Sequence, residues 1–551
     1  MPFFLIILKT VNYIVAFFSF AYDNLVWYFS TKISNNKYES KKRILIIFER
    51  SVILWAIKKS VTAIKRRASK NMFVFASKSP LGDMIFKHYL KKLDFDGLYP
   101  EEYTLLSYYA IENKDIKLLE MCTANLLHES PLAIEQTRDL AVQLFLQGNY
   151  SEAKKVWTVI ENFRKSKIKY GNLDSLGIRI LPIHWFIAVG HIAHLDSYFK
   201  SERMNGVINR KYIFDIPPNF KIPNPYFLRL WAHSIDNISR SEISPFITNE
   251  ERILLQDDFW AALYKSDEAL MFNEYGAVVQ EKWSNFSSQP LVSIPDEDIL
   301  NGNQILRKMG ISEGVWYVCL HVREPGFHQG WHDQNPGTRN ADIETYYDAI
   351  DLITSKGGFV IRLGDKSMRP LKATPGVIDY PFTEFKSDFM DIFLCATCRF
   401  FIGTNSGLGL IPPIFNKLCV LTNWSPVAIP QWYAGDLVVP KLIKESKTGR
   451  YLSFKELFET QVGWSQFEKF FIKLKLTVVD NTSEEIKNAV IDMFTILDGR
   501  IENDSTHLVN QYSNIVLKNI GYIGSRVAPS FVKKYRDLLS DQDKGSDVHD
   551  Q

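Results

Sequence analysis

From residue 315 to residue 422 the chain alternates short apolar runs with amphipathic ones, and this rhythm restricts the fold more than any other feature. Residues 315–322 read as an apolar strand, 340–355 as a helix, 358–363 as a second strand, 389–396 as a helix and 399–403 as a further strand. A turn at Thr404-Asn405-Ser406-Gly407 then opens a helix toward Phe415, and residues 419–422 form one more strand. Such alternation predicts a parallel, doubly wound α/β sheet. Ligands of such sheets sit beyond the carboxyl ends of the strands, where His321-Val-Arg323, Gly364-Asp365 and Asn405-Ser406 all fall.

This stretch is one part of a longer assembly. A chain of 551 residues with 46% hydrophobic and 23% charged residues is globular in composition and too long for one core, so two or three domains are expected. Its 14% aromatic content excludes collagen-like and disordered classes. Cysteines at 122, 319, 395, 398 and 419 are odd in number and lack a framework spacing, which points to a reducing compartment. Cys395-x-x-Cys398 lies in an apolar helix and reads as core packing.

The net charge of +3 hides an asymmetry, since residues 32–70 carry twelve basic and two acidic side chains. A basic nucleic-acid binder is thereby excluded. Residues 3–22 hold sixteen apolar residues with Lys9 as the only charge, close to a membrane span, and residues 44–57 are apolar but too short to cross. With Lys41-Lys42-Arg43 before and Lys65-Arg66-Arg67 after it, that second segment predicts an in-plane helix on an anionic leaflet, held at the cytoplasmic face of the cell membrane.

Residues 101–165 read as short helices, and an offset of 35 lays Tyr109 on Leu144, Leu118 on Ala153 and Cys122 on Trp157, near the tetratricopeptide period. A hairpin buttressing the next domain is the favoured reading over a peptide groove, although a protein partner at this helical region stays open. Residues 178–186 and 211–216 are strand-like, 223–235 helical, and 298–309 opens the last domain.

The chemistry concentrates in two motifs. His321 and Arg323 share a face at a strand end, and Ser387-Asp388-x-x-Asp391 caps a helix that feeds the strand before Asn405-Ser406-Gly407, a turn suited to phosphate. Arg323 is the expected bidentate pyrophosphate clamp, with His321, Ser387, Asp388, Asn405, Ser406 and Gly407 around it and Arg362 and Asp365 ending the central strand. The loop 326–337 is long, aromatic and polar; His328 and His332 within it lack a helical setting for a metal.

These motifs resemble those of the alpha-1,2-fucosyltransferases and protein O-fucosyltransferases. The bacterial alpha-1,2 pattern D-x-x-L-M-S-x-C-x-x-x-I-x-x-N-S-x-F-S aligns with Asp391, Leu394, Cys398, Ile402, Asn405 and Ser406, while Leu408 and Gly409 depart from it. Where the family usually reads H-x-R-R-G-D, this chain reads His321-Val-Arg323-Glu324-Pro325-Gly326, which keeps the His and the first Arg and lacks the acidic residue after the glycine. Residues 321–423, with Arg339-Asn340-Ala341-Asp342 and Arg362-Leu-Gly364-Asp365, also look like a little-characterised group of bacterial glycosyltransferases, some with tetratricopeptide helices.

The resemblance implies a GT-B-like pair of Rossmann-type domains: 1–75 membrane-associated, 76–170 helical and tetratricopeptide-like, 171–290 an N-terminal Rossmann-like acceptor domain, 291–500 a C-terminal nucleotide-sugar domain, and 501–551 a helix with a polar tail. It implies an inverting transfer without metal or other cofactor, from a nucleotide sugar, GDP-linked in preference to ADP-linked, to a lipid-linked or polysaccharide acceptor. The rivals are a heptosyltransferase-like enzyme using an ADP-sugar and a non-catalytic membrane-bound scaffold for envelope assembly. For the glycosyl transfer that the resemblance to fucosyltransferases implies, the loop 326–337 would be an acceptor-side lid, and the candidates for the base that deprotonates an acceptor hydroxyl are His191 first, then Glu324 and Asp342, with His194 in a supporting place.

Overall fold

The computed structural model describes residues 103, 106, 107, 110, 115–129, 133–146, 149–207, 210–233, 247–264, 267–325, 337–500 and 505–540. The expected membrane segment, most of the lid loop with His328 and His332, Tyr109 and the polar tail lie outside them. The chain divides after Cys122 into two compact units, and helix α1 (Ile116–Glu129) contains the division.

In the second unit α2 (Ala133–Leu146) and α3 (Tyr150–Tyr170) form a helical hairpin. Leu144, Ala153, Val156, Trp157 and Ile160 are buried along it. Helix α3 leans on the following domain, where its Thr158 hydroxyl accepts the Ala269 amide at 3.0 Å and its Lys154 pairs with Glu274 at 3.0 Å. The hairpin therefore acts as a buttress.

Next come β1 (Ile178–Pro182), α4 (Val189–Ala193), α5 (Leu195–Met204), β2 (Lys211–Asp215) and α6 (Pro225–His233), then the antiparallel pair β3 (Ala261–Leu263) and β4 (Ala269–Met271), and α7 (Phe272–Phe286). Among the described residues the expected Rossmann-like sheet is reduced to the parallel pair β1–β2, with one bridge from Ile180 to Gln256. The cause lies in the neighbouring helices. Residues 255–257 bond to β1 on one side, but on the other the Leu254 and Gln256 carbonyls accept Arg164 Nη1 at 3.1 and 2.6 Å, and Gln256 also accepts Arg138. Arginines cap the edge where a further strand would pair.

After α8 (Asp296–Lys308) the chain builds its main sheet from β5 (Tyr317–His321), β6 (Phe359–Arg362) behind α9 (Tyr347–Ser355), β7 (Val377–Asp379), β8 (Phe401–Gly403) behind α10 (Asp388–Thr397), β9 (Cys419–Trp424), β10 (Leu437–Pro440) and the short β13 (Arg526–Val527). The order is β13-β10-β9-β8-β5-β6-β7 and every pairing is parallel. A separate antiparallel pair, β11 (Leu442–Glu445) and β12 (Leu476–Val479), precedes α11 (Ser483–Leu497) and α12 (Thr506–Ile520). All six residues of β9 and four of the five of β5 are buried, as strands covered on both faces must be.

The helix expected from Ser406 to Phe415 is instead two short 3-10 turns, Gly407–Leu410 and Pro412–Phe415. Pro412 and Pro413 lack the amides that an α-helix would need there, so the backbone tightens and stops at Asn416 in the left-handed region. Residues past 500 contribute more than a tail, since β13 extends the sheet edge.

Candidate functional site

Strands β5, β6 and β7 are laid outward in one direction and β8, β9 and β10 in the other, so the strand order reverses between β5 and β8. A crevice opens at the carboxyl ends of such a pair. His321 ends β5 opposite Gly403 of β8, and the His321 carbonyl accepts the Thr404 amide at 3.1 Å. The Arg323 amide in turn donates to the Thr404 hydroxyl at 2.9 Å. These bonds tie the His321–Arg323 strand end to the Thr404–Gly407 turn.

Two guanidinium groups meet there. Arg323 donates Nε to the Asn340 side chain at 3.2 Å, and Arg339, from the 3-10 turn Gly337–Arg339, donates Nε and Nη2 to the Asn405 carbonyl at 3.2 and 2.8 Å. Both are half-buried, and among the described residues neither forms an ion pair with a carboxylate. Burial, aided by the Arg323 charge, pulls Arg339 down to about 9; burial also lowers Arg323. Two crowded cations without a carboxylate partner among the described residues form a setting that an anion would relieve. The buried Ser406 hydroxyl faces no hydrogen-bond partner among the described residues. Because Gly407–Leu410 is only one short turn, it adds no long helix dipole to these groups.

Asn340 is itself fixed, since its carbonyl accepts the buried Lys441 ammonium at 2.7 Å while Lys441 also pairs with Asp480. Asn405 is held through its amide to the Ser425 carbonyl at 2.8 Å. Lys441 was not singled out by sequence reasoning, and Arg339 entered it only within the Arg339-Asn340-Ala341-Asp342 stretch, without a role of its own. No local pattern carries them, because their roles arise only when the 337–340 segment folds against the Asn405 turn.

The other expected residues divide by environment. Arg362 is fully buried and bridges Glu324 at 3.1 Å and Asp379 at 3.2 Å, with a further bond to the Arg369 carbonyl. Glu324 spends its second oxygen on the Arg369 amide at 2.8 Å. Both are committed to an internal ion-pair network, which differs from a free donor contact for Arg362 and a free base for Glu324. Asp365 accepts the Ser367 amide at 2.7 Å in a local turn. Ser387 caps α10 through the Met390 amide at 3.2 Å, Asp388 gives its carbonyl to Asn224, and Asp391 pairs with Lys386. Asp342 is exposed, caps the turn that follows and meets Arg369 at 3.1 Å.

His321 is half-buried, with Nδ1 3.1 Å from the Leu363 carbonyl; burial, with the nearby Arg323 and Arg362 charges adding, lowers it to about 4. His191 is brought to the turn by α4, because Gly190 abuts Gly407. Its ring stacks on Phe259 at 4.0 Å and Nδ1 lies 2.6 Å from the His184 carbonyl. That contact assigns the proton to Nδ1 and leaves the lone pair on Nε2. Burial lowers His191 to about 4, against the pull of the His184 carbonyl, so the ring is neutral at ordinary pH. His194 is packed between Phe259, Phe272 and Trp432. Among the described residues no group of His, Cys, Asp or Glu is disposed to hold a metal ion, and no helix is long and apolar enough to cross a membrane.

No family model and no curated protein matches the chain. Among solved structures it is similar to a glycosyl transferase family 9 protein from Veillonella parvula at 11% identity, TM-score 0.29, covering 48% of this chain and 85% of that one. The ADP-heptose lps heptosyltransferase II of E. coli gives 12% identity, TM-score 0.29 and coverages of 48% and 90%. The iron-containing dodecameric glycosyltransferase TibC of enterotoxigenic E. coli gives 11%, 0.24, 44% and 57%. At these identities and superpositions the neighbours bring neither a residue role nor a substrate to this chain.

Proposed function

We propose that the protein is a glycosyltransferase that takes its sugar from a nucleotide-sugar donor, with the diphosphate on Arg323 and Arg339. One observation carries this reading: two guanidinium groups without carboxylate partners among the described residues converge on a turn with an unpaired hydroxyl, at the point where the strand order reverses. A diphosphate supplies the missing negative charge, and a planar guanidinium grips two of its oxygens.

In the transfer, the acceptor hydroxyl gives its proton to Nε2 of His191 while its oxygen bonds to the anomeric carbon. The bond from that carbon to the phosphate oxygen breaks, and the electron pair leaves with the nucleoside diphosphate. Arg323 and Arg339 stabilise the charge that grows there. The donor favoured is GDP-linked, with an ADP-sugar as the rival, and the basic excess of residues 32–70 supports a lipid-linked or polysaccharide acceptor at the cytoplasmic membrane face.

Thermal unfolding of the full-length protein with GDP, ADP, UDP or CMP tests this. At ~100 times its Kd a true donor nucleotide adds ~2.7 kcal/mol of stability. Stabilisation by one nucleoside diphosphate, lost in Arg323→Ala, is the expected result; no response to any of them would overturn the reading.

A further inference from the structure

Away from the crevice, a cavity of about 470 Å³ opens between α3 and the β1, α5 and β3 elements. None of its lining residues belongs to the main sheet or to the Arg323–Arg339 cluster. On its wall Asp257 receives Arg164 Nη1 at 2.9 Å and the Tyr198 hydroxyl, while Trp185 Nε1 donates to the Asp257 carbonyl at 3.0 Å. Arg210 and the Tyr212 hydroxyl converge on Glu202.

The charge balance of the lining excludes an anionic guest. Six carboxylates face four Lys and Arg side chains, and the three arginines are each in an ion pair: Arg164 with Glu161 and Asp257, Arg179 with Asp174, Arg210 with Glu202. Phosphate would meet spent cations and unscreened acids.

One acceptor is left over. Glu161, 4% exposed, gives Oε2 to Arg164 at 2.9 Å, but its buried Oε1 has no hydrogen-bond partner among the described residues. A carboxylate oxygen withdrawn from water without a donor is costly, so the site lacks an O–H or N–H group. Around it Trp185, Tyr198, Phe259 and Tyr275 provide aromatic surface. Hydroxyl donors alternating with apolar C–H faces, on an uncharged frame, match both features.

We propose that this cavity is a second ligand site, which takes a neutral saccharide through a hydroxyl donated to Glu161 Oε1. It stands independently of the donor assignment, since it shares no residue with the Arg323–Arg339 cluster, although Phe259 and His194 line it on the side toward His191. A saccharide held here lies on the helical-hairpin side of the N-terminal half, as a chain-holding site would.

The test is saturation-transfer NMR and calorimetry on the full-length protein with a panel of neutral trisaccharides and, separately, spermidine. At least one trisaccharide is expected to bind. Glu161→Gln, which removes the charged acceptor but keeps the shape, should weaken it roughly tenfold, and Ala262→Phe, which fills the cavity from β3, should abolish it. Arg323→Lys should leave it unchanged. Absence of binding at millimolar sugar, binding that survives both cavity variants, or preference for spermidine would each overturn the proposal. Should Ala262→Phe lower the melting temperature, Glu161→Gln decides alone.

Discussion

Gly190 and Gly407 touch backbone to backbone: a Cβ on Gly190 would lie 2.8 Å from the Gly407 Cα, and one on Gly407 would lie 2.7 Å from the Gly190 nitrogen. This contact sets His191 and Ser406, their chain neighbours, on the two sides of one crevice. Gly407→Ala forces the α4 backbone away, since no flexible side-chain end can yield there. Such overpacking costs about 1–3 kcal/mol. The expected outcome is a lowered melting temperature together with a loss of transfer larger than the loss of nucleotide binding, read by thermal unfolding and steady-state kinetics.

Arg323 and Arg339 differ in what else they do. Arg323 has its two terminal nitrogens free of protein partners among the described residues, whereas Arg339 also holds the Asn405 carbonyl. Arg323→Lys keeps a charge but loses the fork, so transfer should fall roughly a hundredfold, ~3 kcal/mol in the barrier, with the melting temperature unchanged. Arg339→Lys should lower both. If Arg323→Lys turns over within a few-fold of wild type, the phosphate clamp is elsewhere.

The convergence of His321, Arg323, Asn405 and Ser406 was legible in the sequence because each follows an apolar strand that can only be buried. Strand ends are set by the apolar run, and parallel strands put those ends on one side. The pairing of Glu324 with Arg362 was not legible, since the partners stand far apart in sequence and meet only through the β5–β6 register. Strands β7 and β13 escaped for another reason: three half-buried residues and a two-residue strip give no periodic signal. In the N-terminal half, strand-like residues 178–182 and 211–215 did pair, but nothing local announced that Arg138 and Arg164 would close the sheet after them.

Arg362 separates bracing from binding. It is the charge shared by Glu324 and Asp379, and with Arg362→Met both carboxylates lose their counterion in a largely dry setting. Removing one partner of such a network costs ~3–5 kcal/mol. Thermal unfolding should therefore show a drop of several degrees, while the molecules that remain folded still bind donor nucleotide with an affinity near that of wild type. A variant with wild-type stability and lost nucleotide binding would instead place Arg362 on the donor.

The buried histidines give the fold an acid limit. His191 and His321 are both held near 4 by burial, while an unfolded chain binds their protons at about 6.5. Between those values the unfolded state carries more protons, so stability rises with pH; it is fully present above about 6.5 and is lost as pH falls toward 4. Carboxylates shift in both directions over the acid range, Glu161 raised by burial and Asp257 lowered by Arg164 and Arg179 against its burial, which makes the difference between variant and wild type the informative quantity. His321→Asn keeps a polar group beside the Leu363 carbonyl and removes one titration. Its melting temperature should fall less steeply than that of wild type between pH 6.5 and 4.5 and run parallel to it above pH 7. Equal slopes across the acid range would show that His321 takes up its proton in the folded state as readily as in the unfolded one.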